Sequence, residues 1–130
     1  MANADCRILC IDDHRDSAEM LRLVLSQEEY EVVTATTMAE AMERVATEVF
    51  DLYVLDRRLP DGTGLDLCKL LIELTPGVPC IFYTGDAYEL HREQAFAAGA
   101  EGYVAKPNIE ALIEAVHKLL ENSECAGAGK

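Results

Sequence analysis

Basic residues are scarce in this chain: 11 lysines and arginines stand against 24 aspartates and glutamates, giving a formal charge of −13 over 130 residues. A surface with this excess of negative charge should repel nucleic acids and anionic membrane surfaces. Long apolar runs are also missing, since none approaches the ~20 residues that a membrane span needs. The first residues lack the basic and apolar regions of a signal peptide. We therefore expect no direct binding to nucleic acid and no membrane association.

Closely spaced cysteine pairs are absent as well. The five cysteines, at positions 6, 10, 68, 80 and 125, are odd in number and form no Cys-x-x-Cys motif. Three of them lie inside apolar runs, which favours buried, reduced thiols over a disulfide framework or a metal site. This usage predicts a cytoplasmic protein. Only Cys125, in a polar stretch, should be available for intermolecular chemistry.

Short apolar runs rich in β-formers alternate with amphipathic stretches five times along the chain. Strands are predicted at residues 7–11, 30–35, 52–55, 80–83 and 103–105, and a helix follows each of them. No hairpin turn separates consecutive strands, so each connection should be a right-handed parallel crossover. The predicted fold class is α/β, a flavodoxin-like doubly wound (βα)5 domain. Helices should cover both faces of a five-stranded parallel sheet, with 2-1-3-4-5 as the leading strand order.

The helical stretches carry caps and apolar stripes. Asp16 or Ser17 should cap the first helix, and Thr36 or Thr37 followed by Glu40 resembles a capping box for the second. Apolar side chains at helical spacing should face the core; in the first three helices they are Met20, Leu21, Val24, Leu25, Met38, Met42, Val45, Val49, Leu67, Leu70, Leu71 and Leu74. The helix over residues 88–98 is the least amphipathic, which predicts that it is loosely held.

Polar side chains follow four of the five predicted strands. Asp12 and Asp13 come after the first strand, Asp56 after the third, Thr84 after the fourth and Lys106 after the fifth. Parallel strands of an open sheet end on one edge, where ligands bind, so these groups should lie together. Carboxylates ~4 Å apart repel by roughly 4 kcal/mol at an effective dielectric near 20, so the cluster needs protons or a cation. Oxygen ligands suit Mg²⁺, and a lysine suits a phosphoryl oxygen.

In this order and at these strand ends, the motifs resemble those of the response-regulator receiver domain of two-component signalling, of the single-domain chemotaxis type. The resemblance covers about residues 7–121. It rests on the acidic pair, on Asp56 with the Leu-Pro-Asp-Gly that follows it, on Thr84-Gly85 and on Lys106-Pro107. It implies that residues 1–121 form a receiver domain. Residues 122–130 are small and polar, which predicts a short flexible tail with no output domain.

The resemblance also implies how the acidic residues act. Asp56 would accept a phosphoryl group from a sensor histidine kinase or a histidine phosphotransfer protein. The chain would catalyse only its own phosphorylation and dephosphorylation. Mg²⁺ would be held by Asp13, Asp56 and the main-chain carbonyl of Arg58, with Asp12 holding a metal-bound water.

The same resemblance implies a switch around the phosphoryl group. Lys106 would bind that group, and Thr84 would be the hydroxyl that moves toward it. Tyr103 would be the aromatic residue whose ring turns inward, and the Lys106–Pro107 peptide bond would be cis. The surface of the fourth helix, fifth strand and fifth helix would then change and be read by a downstream effector protein, with the chain a monomer or weak dimer.

Arg58 and Asp86 stand two residues after Asp56 and Thr84, where side chains flank the entrance to the site in receivers. The opposite charges predict an ion pair across this entrance that impedes the attacking water. An exposed pair is worth only ~0–1 kcal/mol, so the effect on the lifetime of the phosphoryl group should be modest.

Other functions fit the sequence less well. An aspartyl-phosphate phosphatase needs a carboxylate where Arg58 stands, and the acidic loop after the first strand would repel the phosphate of FMN. A receiver-like module that binds proteins without phosphorylation is the remaining alternative. Of the histidines, only His14 borders the predicted site, while His91 and His117 lie on predicted helices without partners and are not expected to bind metal.

Overall fold

The computed structural model describes residues 6–85, 88–121 and 125. Its strands are β1 (Arg7–Ile11), β2 (Glu31–Ala35), β3 (Leu52–Leu55), β4 (Arg58–Leu59), β5 (Gly62–Thr63), β6 (Cys80–Thr84) and β7 (Gly102–Ala105). Five of them form one parallel sheet in the order β2-β1-β3-β6-β7, so the predicted doubly wound order is confirmed. The register pairs Ile11 with Leu55 and Thr84 with Ala105. It therefore brings the carboxyl ends of four strands to one edge.

A short antiparallel hairpin follows the third parallel strand. In it, β4 and β5 pair Arg58 with Thr63 and Leu59 with Gly62 across the Pro-Asp turn. The expectation that no strand is followed by a hairpin was wrong at this place. Strands of two residues are too short to show an alternating pattern, and the sequence indicated only the turn.

The described residues form five helices, which cover both faces of the sheet: α1 (Arg15–Gln27), α2 (Met38–Thr47), α3 (Gly64–Leu74), α4 (Glu89–Ala97) and α5 (Ile109–Leu120). Tyr53 and Leu55 of β3 enter the core beneath α2 and α3, and Leu52 and Val54 enter the core beneath α1 and α5. Because both faces are buried, β3 is an unbroken apolar run. Among the helices that the structure describes, none has both the length and the apolar character to cross a membrane.

The start of α2 has the predicted capping box and a second cap from the hairpin. Thr37 Oγ1 accepts the Glu40 N–H at 3.0 Å, and Glu40 Oε1 accepts the Thr36 N–H at 2.9 Å. The carboxylate of Asp61 accepts the first two N–H groups of the helix at 2.8 and 3.0 Å. These backbone N–H groups lower the pKa of Asp61. The hairpin turn is thereby joined to α2.

The start of α1 differs from the prediction. The helix begins at Arg15 and has no side-chain cap, so Asp16 and Ser17 lie inside its first turn instead of capping it. Asp12 Oδ1 accepts the His14 N–H at 3.0 Å. This hydrogen bond folds the loop immediately after β1, and the helix can therefore start earlier than the side chains indicated.

Some residues of the predicted apolar stripes lie at the surface. Val49 is 68% exposed and Leu74 54% exposed, and Met20 and Leu70 are exposed as well. Val49 lies beyond the end of α2 at Thr47, where helical spacing no longer applies. In α3 the buried side chains are Leu67, Cys68 and Leu71, so the stripe is rotated toward Cys68 and leaves Leu70 and Leu74 at its edge.

Cysteine placement is partly as predicted. Cys10, Cys68 and Cys80 are buried and free, which confirms the interpretation as core thiols. Cys125 is buried and forms a disulfide with Cys6, with their Cα atoms 4.8 Å apart. The expectation that Cys125 is available for intermolecular chemistry was therefore wrong, because its side chain packs in the core beneath α1 and α5. The other residues of the predicted tail, 122–124 and 126–130, lie outside the described residues.

Candidate functional site

The polar residues at the strand ends meet at one edge of the sheet. We call Asp12, Asp13, Asp56, Thr84 and Lys106 the strand-edge cluster. Lys106 Nζ donates to Asp12 Oδ2 at 2.8 Å and to Asp56 Oδ2 at 3.3 Å. Asp12, Asp56 and Thr84 are 1%, 9% and 3% exposed. Residues 94 and 50 positions apart are therefore brought into contact by the parallel topology.

The lysine is held as a cation by its neighbours. Burial lowers the pKa of Lys106, but the hydrogen bond to Asp12 and the charges of Asp56 and Asp12 outweigh this effect. The net result is a pKa above the ordinary lysine value. The ammonium therefore stays charged while it faces two buried carboxylates.

The acidic residues lie close enough to share a cation. One ligand atom each from Asp12, Asp13, His14 and Asp56 lies within 4.8 Å of the others. The side chain of Asp13 is 33% exposed, whereas that of Asp12 is 2% exposed. The site is thus open on the side of Asp13 and closed behind Asp12, which suits an ion that keeps several waters.

The loop that carries Asp56 is fixed by backbone contacts. The Asp56 N–H donates to Ile11 O at 3.0 Å, and the Gly64 N–H donates to Arg57 O at 2.8 Å. A Cβ added to Gly64 would lie 2.1 Å from the carbonyl oxygen of Asp56 and 2.8 Å from the ring of Phe82. Only glycine permits this approach, so Gly64 lets α3 start directly behind the acidic loop.

Thr84 and Tyr103 lie on neighbouring strands beside this loop. The Lys106 N–H donates to Thr84 O at 2.8 Å, and the Lys106–Pro107 peptide bond is cis, as the resemblance implies. The half-buried ring of Tyr103 stacks on Phe82 with ring centroids 5.9 Å apart. Thr84 and Lys106 also line an open cavity of about 950 Å³ that contains Asp56 and has Arg58 and Tyr88 on its wall.

His14 lines the cavity, as expected of the one histidine that borders the predicted site. The sequence did not indicate that Arg57 donates to Gln94 Oε1 at 2.9 Å, which joins the acidic loop to α4. Asp86 lies outside the described residues, so its pairing with Arg58 stays a prediction. Contacts of this kind depend on which helix faces which loop, and no local pattern in the sequence carries that information.

The two helical histidines do have neighbours. His117 contacts the Tyr30 hydroxyl at 2.5 Å and Glu28 Oε1 at 2.9 Å, and the ring of His91 lies edge-on to that of Tyr88. The expectation that these histidines lack partners was therefore wrong. Glu28 and Tyr30 lie 89 and 87 positions from His117 in the sequence. Helical spacing cannot indicate contacts between residues that far apart.

The doubly wound sheet and the strand-edge cluster together define a receiver-type α/β domain. The chain belongs to the family described as "Response regulator receiver domain", whose family model matches residues 8–117. It is 37% identical over 102 residues to the DNA-binding transcriptional activator DevR/DosR of Mycobacterium tuberculosis, covering 77% of this chain and 47% of that protein.

Solved structures agree with this assignment. The non-phosphorylated HemR receiver domain from Leptospira biflexa is 32% identical, with a TM-score of 0.83 over 92% of this chain and 97% of that chain. The response regulator TrrA from Thermotoga maritima, in complex with Mg(2+)-BeF, is 33% identical, with a TM-score of 0.80 over 88% and 99% of the two chains. The curated relatives are longer proteins. This chain spans 23% of the length of PilR of Pseudomonas aeruginosa and 52% of the length of MprA of Mycobacterium leprae.

Proposed function

We propose that residues 1–121 form a phosphorylation-controlled switch in which Asp56 accepts a phosphoryl group from a histidine of a kinase or phosphotransfer protein. The observation that carries this proposal is the contact of Lys106 Nζ with both Asp12 and Asp56, where Lys106 and Asp56 line the open cavity. A carboxylate beside a fixed ammonium is suited to receive a group that brings negatively charged oxygens. The carboxylate oxygen of Asp56 attacks phosphorus, and the histidine nitrogen leaves as the P–N bond breaks.

The acidic side of the cluster fits Mg²⁺. Asp13 and Asp56 supply hard oxygen ligands, and Asp12 adds a third carboxylate within reach. When bound, Mg²⁺ would neutralise charge on the transferring phosphoryl group. The partial exposure of Asp13 leaves room for water. The main-chain carbonyl of Arg58, a residue that lines the same cavity, would be the further ligand that the resemblance implies. The Mg(2+)-BeF complex of TrrA supports this choice of ion.

Phosphorylation would require the cluster to rearrange. In the structure Lys106 is bonded to Asp12 and Asp56, and a phosphoryl oxygen on Asp56 would take over its second contact. Thr84, buried at the end of β6, would donate its hydroxyl to another oxygen, and Tyr103 on β7 would adjust its ring. The surface formed by α4, β7 and α5 lies next to these residues, so we propose that a partner protein recognises it. α4 buries only Ala95, which fits a helix that can shift.

The test uses acetyl phosphate as a small donor. With Mg²⁺, intact mass spectrometry should show the gain of one phosphoryl group by the wild-type protein and none by Asp56→Asn. Asp66→Asn, which removes an exposed carboxylate on α3, is the matched control and should be phosphorylated like the wild type. Excess chelator should stop the reaction. Phosphorylation of Asp56→Asn, or reaction that persists in chelator, would show that this assignment is wrong.

The lifetime of the phosphoryl group tests the predicted Arg58–Asp86 pair. We propose that these side chains impede the attacking water, so the Arg58→Ala, Asp86→Ala double variant should lose its phosphoryl group modestly faster than the wild type. Equal rates of dephosphorylation would remove this part of the proposal and leave the role of Asp56 intact.

A further inference from the structure

His14 brings a nitrogen to a cluster whose other ligand atoms are oxygens. Its Nδ1 lies 3.2 Å from Asp13 Oδ1 and 3.7 Å from Asp12 Oδ1. Two ligands at right angles on one cation, with bonds of ~2.1 Å, lie about 3 Å apart. The observed separations are therefore close to those of neighbouring ligands on a single ion.

The two oxygens of Asp12 face different partners. Oδ2 accepts from the Lys106 ammonium at 2.8 Å, whereas Oδ1 accepts the backbone N–H of His14 at 3.0 Å. The second hydrogen bond holds the Cα of His14 beside the acidic pair, at the carboxylate oxygen away from the ammonium. A cation near Oδ1 is therefore within reach of the imidazole. It would bind the oxygen of Asp12 that does not contact the Lys106 ammonium.

The imidazole is also free to approach such a cation. The side chain of His14 is 73% exposed, and it lines the same cavity as Asp13 and Asp56. Because the ring is not packed in a core, it can turn toward an ion without opening a cavity elsewhere.

We propose that His14 is a further ligand of the cation site and makes this site favour a first-row transition metal such as Co²⁺ over Mg²⁺. The inference rests on the proposed function, because it uses the same carboxylates. Mg²⁺ takes oxygen ligands, whereas an imidazole nitrogen suits the later first-row metals. Loss of the nitrogen should therefore weaken Co²⁺ binding by about tenfold and change Mg²⁺ binding less.

Isothermal titration calorimetry of the whole chain with Co²⁺ and with Mg²⁺ measures this preference. The ratio of the two affinities should fall about tenfold in His14→Gln and keep its wild-type value in His91→Gln, the same substitution on α4. Proton NMR of the Co²⁺ complex gives a second measurement. A hyperfine-shifted, non-exchangeable imidazole Cδ2–H resonance should appear with the wild type and be missing with His14→Gln.

An unchanged preference in His14→Gln, or a Co²⁺ complex without the shifted imidazole proton, overturns the role of His14. If the wild type still binds Mg²⁺ and is phosphorylated on Asp56, that failure is confined to His14. If the wild type neither binds Mg²⁺ nor accepts a phosphoryl group, the proposed function fails together with the inference.

Discussion

Replacing Lys106 by methionine tests how the strand-edge cluster is stabilised. Methionine keeps much of the length of the side chain but removes the ammonium that contacts Asp12 at 2.8 Å and Asp56 at 3.3 Å. At an effective dielectric near 20, these two attractions are about 6 and about 5 kcal/mol. Much of this is offset by the desolvation of the three charged groups, which costs several kcal/mol for each ion. Removing one partner from a buried pair typically costs 3–5 kcal/mol.

We therefore expect Lys106→Met to lower the free energy of unfolding by about 3 kcal/mol at neutral pH. The lower end of the range applies because the lysine side chain is 21% exposed, so water can partly solvate the two carboxylates when the ammonium is removed. Urea unfolding followed by far-ultraviolet circular dichroism, with a chelator present, measures the difference. Lys69→Met, at an exposed position on α3, is the matched control and should change stability by less than about 0.5 kcal/mol.

The pH dependence and a second substitution sharpen this test. Because the pKa of Lys106 is raised on folding, its stabilisation is complete below the unfolded lysine pKa of about 10.4 and is lost as the pH rises through the folded value. Adding Asp12→Asn should recover part of the loss, since one unpaired buried carboxylate is then removed. A loss below about 1 kcal/mol, or a double variant less stable than Lys106→Met, would refute the argument.

Three further predictions concern other parts of the structure. Gly64→Ala should cost about 2–3 kcal/mol of stability in urea unfolding, whereas Gly85→Ala, where an added Cβ meets nothing within 4 Å, should change it little. The Cys6–Cys125 disulfide joins residues 119 positions apart, so Cys125→Ser should be less stable than the oxidised wild type by about 3–5 kcal/mol, a gap that should vanish in reductant. Asp61 has a lowered pKa, so its stabilisation of the fold is present above the unfolded pKa of about 4 and is lost at lower pH. The thermal unfolding temperatures of Asp61→Asn and the wild type should therefore converge as the pH falls. A constant difference between them would contradict the role of Asp61 as a cap.

The sequence indicated most of the sheet because its strands are short, apolar and followed by polar residues. In β3 both faces are buried, so Leu52, Tyr53, Val54 and Leu55 form one apolar run that ends at Asp56. The strand order could not be obtained from periodicity, because it depends on the side of the sheet to which each crossover connection adds the next strand. It was expected from the count of five parallel strands and is confirmed.

The contacts that the sequence did not indicate are those between distant segments. Cys125 is bonded to Cys6, the residue immediately before β1, although its neighbours in sequence are small and polar. Asp61 caps α2 from a hairpin more than 20 residues away in the chain. The local sequence indicated an available thiol at Cys125 and a turn residue at Asp61. In both cases, tertiary packing determines what the side chain contacts.

Lys106 links the stability of the domain to its proposed switching. Its backbone is fixed by the N–H bond to Thr84 O, while its ammonium is bonded to the side chains of Asp12 and Asp56. In the proposed switch, the ammonium would keep Asp12 as a partner and would exchange a carboxylate oxygen of Asp56 for a phosphoryl oxygen. We expect the backbone contact to β6 to persist during this exchange, so that the change would reach the side chains of Thr84 and Tyr103 instead of being absorbed by movement of Lys106 itself. The residue that compensates two buried carboxylates before phosphorylation is therefore placed to bind the added charge afterwards.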